Sequence, residues 1–402
     1  MEYRPLPVKD TLKRMKNISG IMVDLGYYSA LYGDQALADE ILRLGTEVNR
    51  LKFNLMMIAA LATRNPSEAE AIVSVYQLAM SMGKICDEAE EIARVSKHKL
   101  TVRFPVGFAG IDNVVCRFRV SPESWAEAKS LGEVFKKLKT ALNVLLVKRG
   151  EKWFIEPDPR FILKADDMLF TVGSLGNIRR FRQTIGSVES PPSQEEVPAF
   201  HKTLVQWMAQ FLSFTDIIVD LAYTALLTSS KDIAQQVAEI EDYFDHILVR
   251  FEDEVMSIVQ LPPREKVAIL EIAMASERIS DAAREIAEVL LHGLEPHPII
   301  AEVLKESEER MAAIRVEKND QGKKIGGLGY DSFGAVVLAV KRGEEWHVRP
   351  PPSSFHVKDG DLLIVKYFSE SGQIEEFAEE LKSEEERDRI IEEIREEELE
   401  EG

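Results

Sequence analysis

The sequence predicts an α+β multidomain protein in which two three-helix bundles alternate with two small α+β lobes. An internal repeat carries most of this expectation. Val23-Asp-Leu-Gly-Tyr27 is echoed by Val219-Asp-Leu-Ala-Tyr223, and Val144-Leu-Leu-Val-Lys-Arg-Gly-Glu-Lys-Trp153 by Val337-Leu-Ala-Val-Lys-Arg-Gly-Glu-Glu-Trp346. The order is bundle, lobe, bundle, lobe, so the chain reads as a duplication. The second observation is that each half changes its apolar period, from three- and four-residue steps to strand-like runs bounded by turn residues. The expected boundaries are 1–100 for the first bundle, 101–186 for the first lobe and 187–199 for a Pro-rich linker. They continue with 200–294 for the second bundle, 295–310 for a connecting helix, 311–382 for the second lobe and 383–402 for an acidic tail.

Taken in order, the first bundle holds three helices over residues 8–97, broken at Gly33-Asp34 and Asn65-Pro66. Leu12, Met15, Ile18, Met22 and Leu25 make the apolar stripe of the first helix. Leu37, Ile41, Val48, Leu51 and Leu55 make that of the second, and Ile72, Leu78, Met82, Ile85 and Ile92 that of the third. The plan recurs over 198–292, with Leu261-Pro-Pro263 ending the middle helix because proline cannot continue the hydrogen-bond ladder. Each lobe is expected to hold a strand, then (in the first) a helix around Trp125 to Thr140, a hairpin turning at Gly150 or Gly343, a last strand and a closing helix, Ile374–Leu381 in the second. Gly326-Gly-Leu-Gly329 is read as a loop, since no Lys-Ser/Thr follows it and no helix opens after it.

Composition narrows the function classes. The 402 residues are 45% apolar and 30% charged, with a formal net charge of −19. So acidic a chain is a poor binder of nucleic acid or of an anionic membrane surface, and its field attracts cations. Cys86 and Cys116 are too few for a disulfide framework or a thiolate cage and are expected in the core. No stretch approaches about 18 uncharged apolar residues, so no membrane insertion is expected, and the chain reads as a cytoplasmic protein. No nucleophile–base pairing is visible and the seven histidines are scattered, so no enzymatic activity is expected.

The residues that invite chemistry are paired carboxylates. Glu241 and Asp245 on the middle helix of the second bundle, and Glu277 and Asp281 on its third, each stand four residues apart and share a helix face beside the core stripe. Such pairs are either a solvated acidic surface or, if they meet across adjacent helices, oxygen ligands for a hard cation that relieves their mutual repulsion. In the first copy Gly45 and Asn49 replace Glu241 and Asp245, while Gly83 and Asp87 replace Glu277 and Asp281, so a metal site belongs mainly to the second bundle. Asp24, Asp220, Gln210 and Asp216 rank lower as ligands.

Residues 8–97 and 198–292 resemble PhoU domains, the three-helix units of phosphate-transport regulators. The resemblance lies in Val219-Asp-Leu-Ala-Tyr-Thr-Ala-Leu-Leu227 and the two Glu-x-x-x-Asp pairs. It implies that Glu241, Asp245, Glu277 and Asp281, with Asp87 in the first copy, hold a divalent or ferric metal ion. The lobes resemble the TrkA C-terminal domain, the C-lobe of RCK potassium-channel regulators, through Val-Lys-Arg-Gly, Pro157 and Pro350, and Asp167 and Asp361. That resemblance implies a homodimer binding a small-molecule effector such as a nucleotide in a groove lined by Asn143, Arg149, Pro157, Arg342 and Pro350. The Rossmann domain that usually precedes such a lobe is missing, so no NAD is expected. Together the two resemblances imply a cytoplasmic regulatory subunit of a membrane cation channel or transporter, with potassium the expected ion, gated by effector or ion. The alternative is a metal-binding signalling adaptor in phosphate-transport regulation.

Overall fold

The computed structural model describes residues 7–62, 66–98, 113–138, 143–155, 157–185, 199–305, 309–330, 336–343, 345–348 and 354–368. The first bundle consists of α1 (Val8–Tyr32), α2 (Gln35–Ala62) and α3 (Pro66–Arg94), and the second of α6 (Ala199–Thr228), α7 (Lys231–Ser257) and α8 (Pro263–Leu291). Between them lie β1 (Asn113–Arg119), α4 (Leu131–Leu138), β2 (Asn143–Arg149), β3 (Lys152–Ile155), β4 (Met168–Ser174) and α5 (Leu175–Ile185). After the second bundle come α9 (Pro298–Lys305), β5 (Glu309–Arg315), β6 (Val336–Arg342), β7 (Glu345–Val348) and β8 (Leu362–Phe368). The closing helix expected over Ile374–Leu381, the 383–402 tail and all of the 187–199 linker except residue 199, which opens α6, lie outside the described residues.

The helices end where the sequence changes chemistry. Gly33 adopts a left-handed conformation (φ 66°), which lets its N–H reach Ser29 O and close α1. Asp34 then accepts from the Leu37 N–H at 3.1 Å and caps α2. In the second copy Ser230 caps α7 through Ile233 N–H at 3.3 Å. Over Thr203–Leu226, α6 is long and apolar enough to cross a membrane, but most of that stretch is buried inside the bundles.

The two bundles share one core, with α3 lying antiparallel to α8. The contact carries matched hydrogen bonds. Tyr27 Oη reaches Thr215 Oγ1 at 3.5 Å, and its repeat equivalent Tyr223 Oη reaches Ser19 Oγ at 3.2 Å. Tyr27 also bonds Ser276 across the interface. Around this buried centre, Lys84 pairs with Glu285, and Arg278 with Glu88 at 2.6 Å. Burial raises both phenols, so each tyrosine is a neutral hydrogen-bonding group.

Both lobes are four-stranded antiparallel sheets of the same order, β1-β4-β2-β3 and β5-β8-β6-β7, with a register shift at the same place (between Val144 and Leu146, and between Val337 and Ala339). Alternation puts Leu146, Phe170 and Trp153 of one sheet, and Ala339, Ile364 and Trp346 of the other, on the face that joins the bundle core. The opposite faces form separate small cores around Phe118 and Phe181, and around Val340 and Leu363. The first lobe docks through Arg117 and Asp34, 2.6 Å apart, and an edge-on contact of Tyr28 with Phe170. The second docks through Lys341 and Glu239.

Two expected helices are shorter than the sequence suggested: the connecting helix, expected over 295–310, spans only α9, and β5 already begins at Glu309. The helix anticipated from Trp125 begins only at Leu131, because Ala128 (φ 60°) takes a left-handed conformation that no right-handed helix can include. Ser130 and Glu133 then cap each other reciprocally, each accepting from the other's N–H (3.2 and 2.9 Å), and so define the start.

Tyr27→Phe removes a buried hydroxyl that serves two partners on the opposite bundle, and is expected to lower unfolding stability by about 1–3 kcal/mol. Tyr223→Phe is expected to act in the same direction with a smaller effect, since it has one such partner across the interface. Urea unfolding followed by far-UV dichroism measures both.

Candidate functional site: the carboxylates between two helices

The four carboxylates of the second bundle face one another across α7 and α8. Glu241 is almost fully buried at 6% exposure, Glu277 and Asp281 are half-buried, and Asp245 is exposed. They sense each other. Burial first, then the Asp281 and Asp245 charges, pushes Glu277 up to about 7, against the opposing pull of Arg278. Burial likewise pushes Glu241 up to about 7, opposed by Arg284 and reinforced by Asp245 and a hydrogen bond with Asp281. Asp245 is raised by burial and by the charges of Asp281 and Asp242.

Arg284, which the sequence reading passed over, organises this cluster. It pairs with Glu241, donates to Asp242 Oδ1 at 2.9 Å and approaches Glu288 at 3.7 Å. Its position was legible: it stands three residues beyond Asp281, on the same face of α8. As the side chains stand, no set of three carboxylate, imidazole or thiolate groups among the described residues closes around a point in the manner of a metal cage. The donor set nonetheless has the chemistry of a hard-cation site: carboxylate oxygens in excess over the cationic groups beside them.

The lower-ranked acids lie elsewhere. The charges of Asp216 and Asp220 act on Tyr27 and Tyr223 at the interface between bundles. In the first copy Asp87 accepts from Asn49 Nδ2 at 3.4 Å, so the middle and third helices are joined there by a weak neutral-donor bond.

In the lobes, the arginines expected to line a ligand groove are held from within. Arg149 grips Asp167 through two parallel bonds (2.7 and 2.6 Å) and donates to Ile162 O at 2.7 Å. Arg342 repeats this with Asp361 (2.9 and 2.7 Å) and His356 O (2.8 Å). Asp167 Oδ2 and Asp361 Oδ2 each also accept a backbone N–H three residues earlier, both at 2.8 Å. Burial alone would raise the Asp361 carboxyl, but Arg342 and the Lys358 N–H outweigh it and hold it below the usual range. The guanidinium planes cover Phe161 and Phe355, with centroid distances of 4.9 and 5.0 Å. Each Arg–Asp fork therefore ties the end of the hairpin strand to the start of the last strand. Asn143 opens β2 opposite Val172, and Pro157 sits half-buried after β3. Pro350 lies outside the described residues.

The thiols are core groups. Both cysteines are buried, and desolvation raises Cys86 and pushes Cys116 up to about 12.

Two predictions follow from these contacts. Arg149→Ala leaves the Asp167 carboxylate, with no exposed side-chain surface, buried without a counter-charge, and is expected to destabilise the first lobe by about 3–5 kcal/mol; hydrogen exchange of β4 amides reads it locally. The second concerns pH. Because the Glu241 and Glu277 values are raised by folding, the folded state holds protons that the unfolded chain releases, so this cluster favours folding fully below about pH 4.5. That contribution is lost as pH rises through about 7. Glu277→Gln is expected to raise the melting temperature at pH 8 and leave it unchanged at pH 4; equal shifts at both values would contradict the assignment.

The PhoU domain family matches residues 12–96 and 209–290, and the TrkA-C domain family matches 115–186. No curated protein matches the chain. Among solved structures, PhoU from Pseudomonas aeruginosa is 16% identical, covering 71% of this chain and 94% of its own, with a TM-score of 0.41. The phosphate transport system regulatory protein PhoU from Streptococcus pneumoniae is 11% identical, covering 71% and 92%, with a TM-score of 0.39. The GsuK RCK domain is 12% identical, covering 68% and 64%, with a TM-score of 0.19. The chain is thus a tandem PhoU and TrkA-C domain protein, its first TrkA-C domain set between two PhoU domains and its second lobe built on the same strand order.

Proposed function

We propose that this protein is a cytoplasmic regulatory subunit of a membrane cation channel or transporter, with potassium as the ion. In this reading it works as a homodimer switched by a bound cation or a small-molecule effector such as a nucleotide. The observation that carries the reading is the joining of both domain types in one core: a sheet face of each TrkA-C-type lobe packs into the interior of the paired PhoU bundles. A lobe held that way reports on its bundle, because a change in helix packing alters the surface the sheet rests on. The PhoU and TrkA-C families support a regulatory role of this kind, and the pore would belong to another chain.

The cation site in this reading is Glu241, Asp245, Glu277 and Asp281. A bound hard cation would supply the positive charge that four clustered carboxylates lack, and Glu241 would exchange Arg284 for the ion. Binding would draw α7 and α8 together and favour whichever bundle state holds the four groups closest. The shift obtained is bounded by the cation's differential affinity for the two states.

A second reading, a metal-binding adaptor in phosphate-transport regulation, is favoured by two observations: the acidic cluster lies in a PhoU domain, and the lobe arginines are turned inward. Affinity capture from detergent-solubilised membranes separates the two. Recovery of a cation channel or transporter subunit supports the first reading, and recovery of phosphate-transport components supports the second. For the cation site, elemental analysis of the purified protein is expected to find a bound metal that Glu277→Ala and Asp281→Ala each reduce at least tenfold. Metal content unchanged by both substitutions would remove these residues from the site.

A further inference from the structure

The net charge of −19 is unevenly spread along the chain. The first lobe, residues 101–186, has 15 Lys and Arg against 9 Asp and Glu, a charge of +6, which leaves −25 on the remainder. The second lobe, 311–382, has 10 against 12, a charge of −2. The duplicated lobes have therefore diverged in sign, and the change is concentrated in α5. Its apolar residues Ile178, Phe181 and Ile185 recur as Ile374, Phe377 and Leu381. The polar positions between them (179, 180, 182, 183 and 184) read Arg-Arg-Arg-Gln-Thr in the first copy. Their equivalents (375, 376, 378, 379 and 380) read Glu-Glu-Ala-Glu-Glu in the second.

The basic residues of α4 and α5 lie on one side of the lobe. Both helices cover the same sheet face, α4 through Leu131 and Val134 and α5 through its apolar stripe, and Phe135 meets Phe181 between them with ring centroids 6.3 Å apart. The other sheet face packs on the bundles, so the outward sides of α4 and α5 point away from them. Lys136, Lys137, Arg180 and Arg182 are exposed there, and among the described residues none of the four pairs with a carboxylate. Trp125, 41% exposed, lies beside them with the Lys137 ammonium 3.6 Å from its ring centroid. Four cations and an indole thus make a basic face with an apolar anchor.

The acidic tail has the matching chemistry. Residues 383–402 have 11 Asp and Glu against 3 Arg, a charge of −8, with Ile390, Ile391 and Ile394 set among them. The second lobe, nearest in sequence, repels such a segment through the glutamates that replace the α5 arginines, whereas the first lobe attracts it. Reach is sufficient. Ile390 is 22 residues beyond Phe368, where β8 ends, and 22 residues span up to about 70 Å when extended. Tethering favours the chain's own tail over that of another molecule, because a flexible linker of this kind gives an effective concentration on the millimolar scale. We propose that the α4–α5 face of the first lobe is the docking surface for the chain's own acidic segment 383–402, held by charge complementarity around Trp125. An anionic partner then reaches this basic face only by displacing the segment. The inference is independent of the cation reading of the second bundle.

Zero-length carbodiimide cross-linking of the full chain, read by mass spectrometry, tests it. The expected products join Lys136 or Lys137 to glutamates between residues 384 and 401. Their yield is expected to fall at least fivefold in 0.5 M NaCl, where the screening length is about 4 Å. The same loss is expected in Arg180→Glu/Arg182→Glu, which reverses two exposed charges and leaves both reporting lysines in place. The salt arm uses the unmodified protein, so the test stands even if that variant folds poorly. Unlabelled and ¹⁵N-labelled chains, mixed and left to exchange before cross-linking, identify whose tail is bound: products carrying a single label are expected. Mixed-label products would place the tail of a second copy on the face and overturn the proposal. Absence of these products, or a yield unchanged by both salt and Arg180→Glu/Arg182→Glu, overturns it too. So does capture of the unmodified protein by phosphatidylglycerol vesicles without any tail cross-link, which would give the face to an anionic leaflet instead.

Discussion

The antiparallel contact of α3 with α8 is the constraint on which the rest of the structure depends. Each of these two helices packs one side against its own bundle and another against its counterpart in the other bundle. Lys84–Glu285 and Arg278–Glu88 pairs join the two helices. Tyr27 on α1 and Tyr223 on α6 fix the register of the two bundles, because each must find a hydroxyl on the other bundle. A buried phenol without a partner costs about 1–3 kcal/mol, so a slipped pairing is penalised twice. The interface therefore specifies one arrangement of the two halves as well as holding them together.

The lobes inherit their placement from that arrangement. Each leaves one sheet face to the bundles and closes the other with its own residues, and each locks its hairpin to its last strand with an Arg–Asp fork. Burying an arginine–carboxylate pair adds little net stability over an apolar pair, but it demands one geometry. The forks thus explain why Val-Lys-Arg-Gly and the later aspartate recur together in the sequence. They are the two ends of one contact, and their spacing is set by the strand order that brings β2 beside β4 and β6 beside β8.

The duplication, the six long helices and the strands of the lobes were legible because each rests on a local periodicity or a repeated motif; the order of the strands in each sheet was not. The convergence of Glu241, Asp245, Glu277 and Asp281 was legible for the same reason: a four-residue step fixes a helix face, and antiparallel neighbours bring matching faces together. What the residues did not disclose were contacts decided by side-chain reach. Arg284 is a long cation whose targets, Glu241 and Asp242, lie on another helix, and nothing in its own spacing tells which neighbours it meets. Arg149 and Arg342 had the exposure expected of strand-end residues, and only the fold shows that the partner aspartates turn them inward. The short α4 escaped for a different reason. Left-handed Ala128 is held by a backbone hydrogen bond to the distant segment between β3 and β4, from Ala128 N–H to Leu163 O at 2.9 Å, and no propensity scale contains that.

The two halves of the duplication also differ in how they couple site to lobe. The first lobe is tied by Arg117 to Asp34, at the cap of α2 and about three turns before Gly45. The second is tied by Lys341 to Glu239, two residues before Glu241 on the same helix. In the second half a change in charge at the carboxylate cluster therefore acts on the very turn of α7 that carries a lobe contact. In the first half the corresponding position is a glycine, and the lobe contact sits at a helix end where the cap holds the backbone. A duplicated scaffold has thus kept one fold and diverged in its wiring: the half whose carboxylates are left in excess is also the half in which they adjoin the lobe.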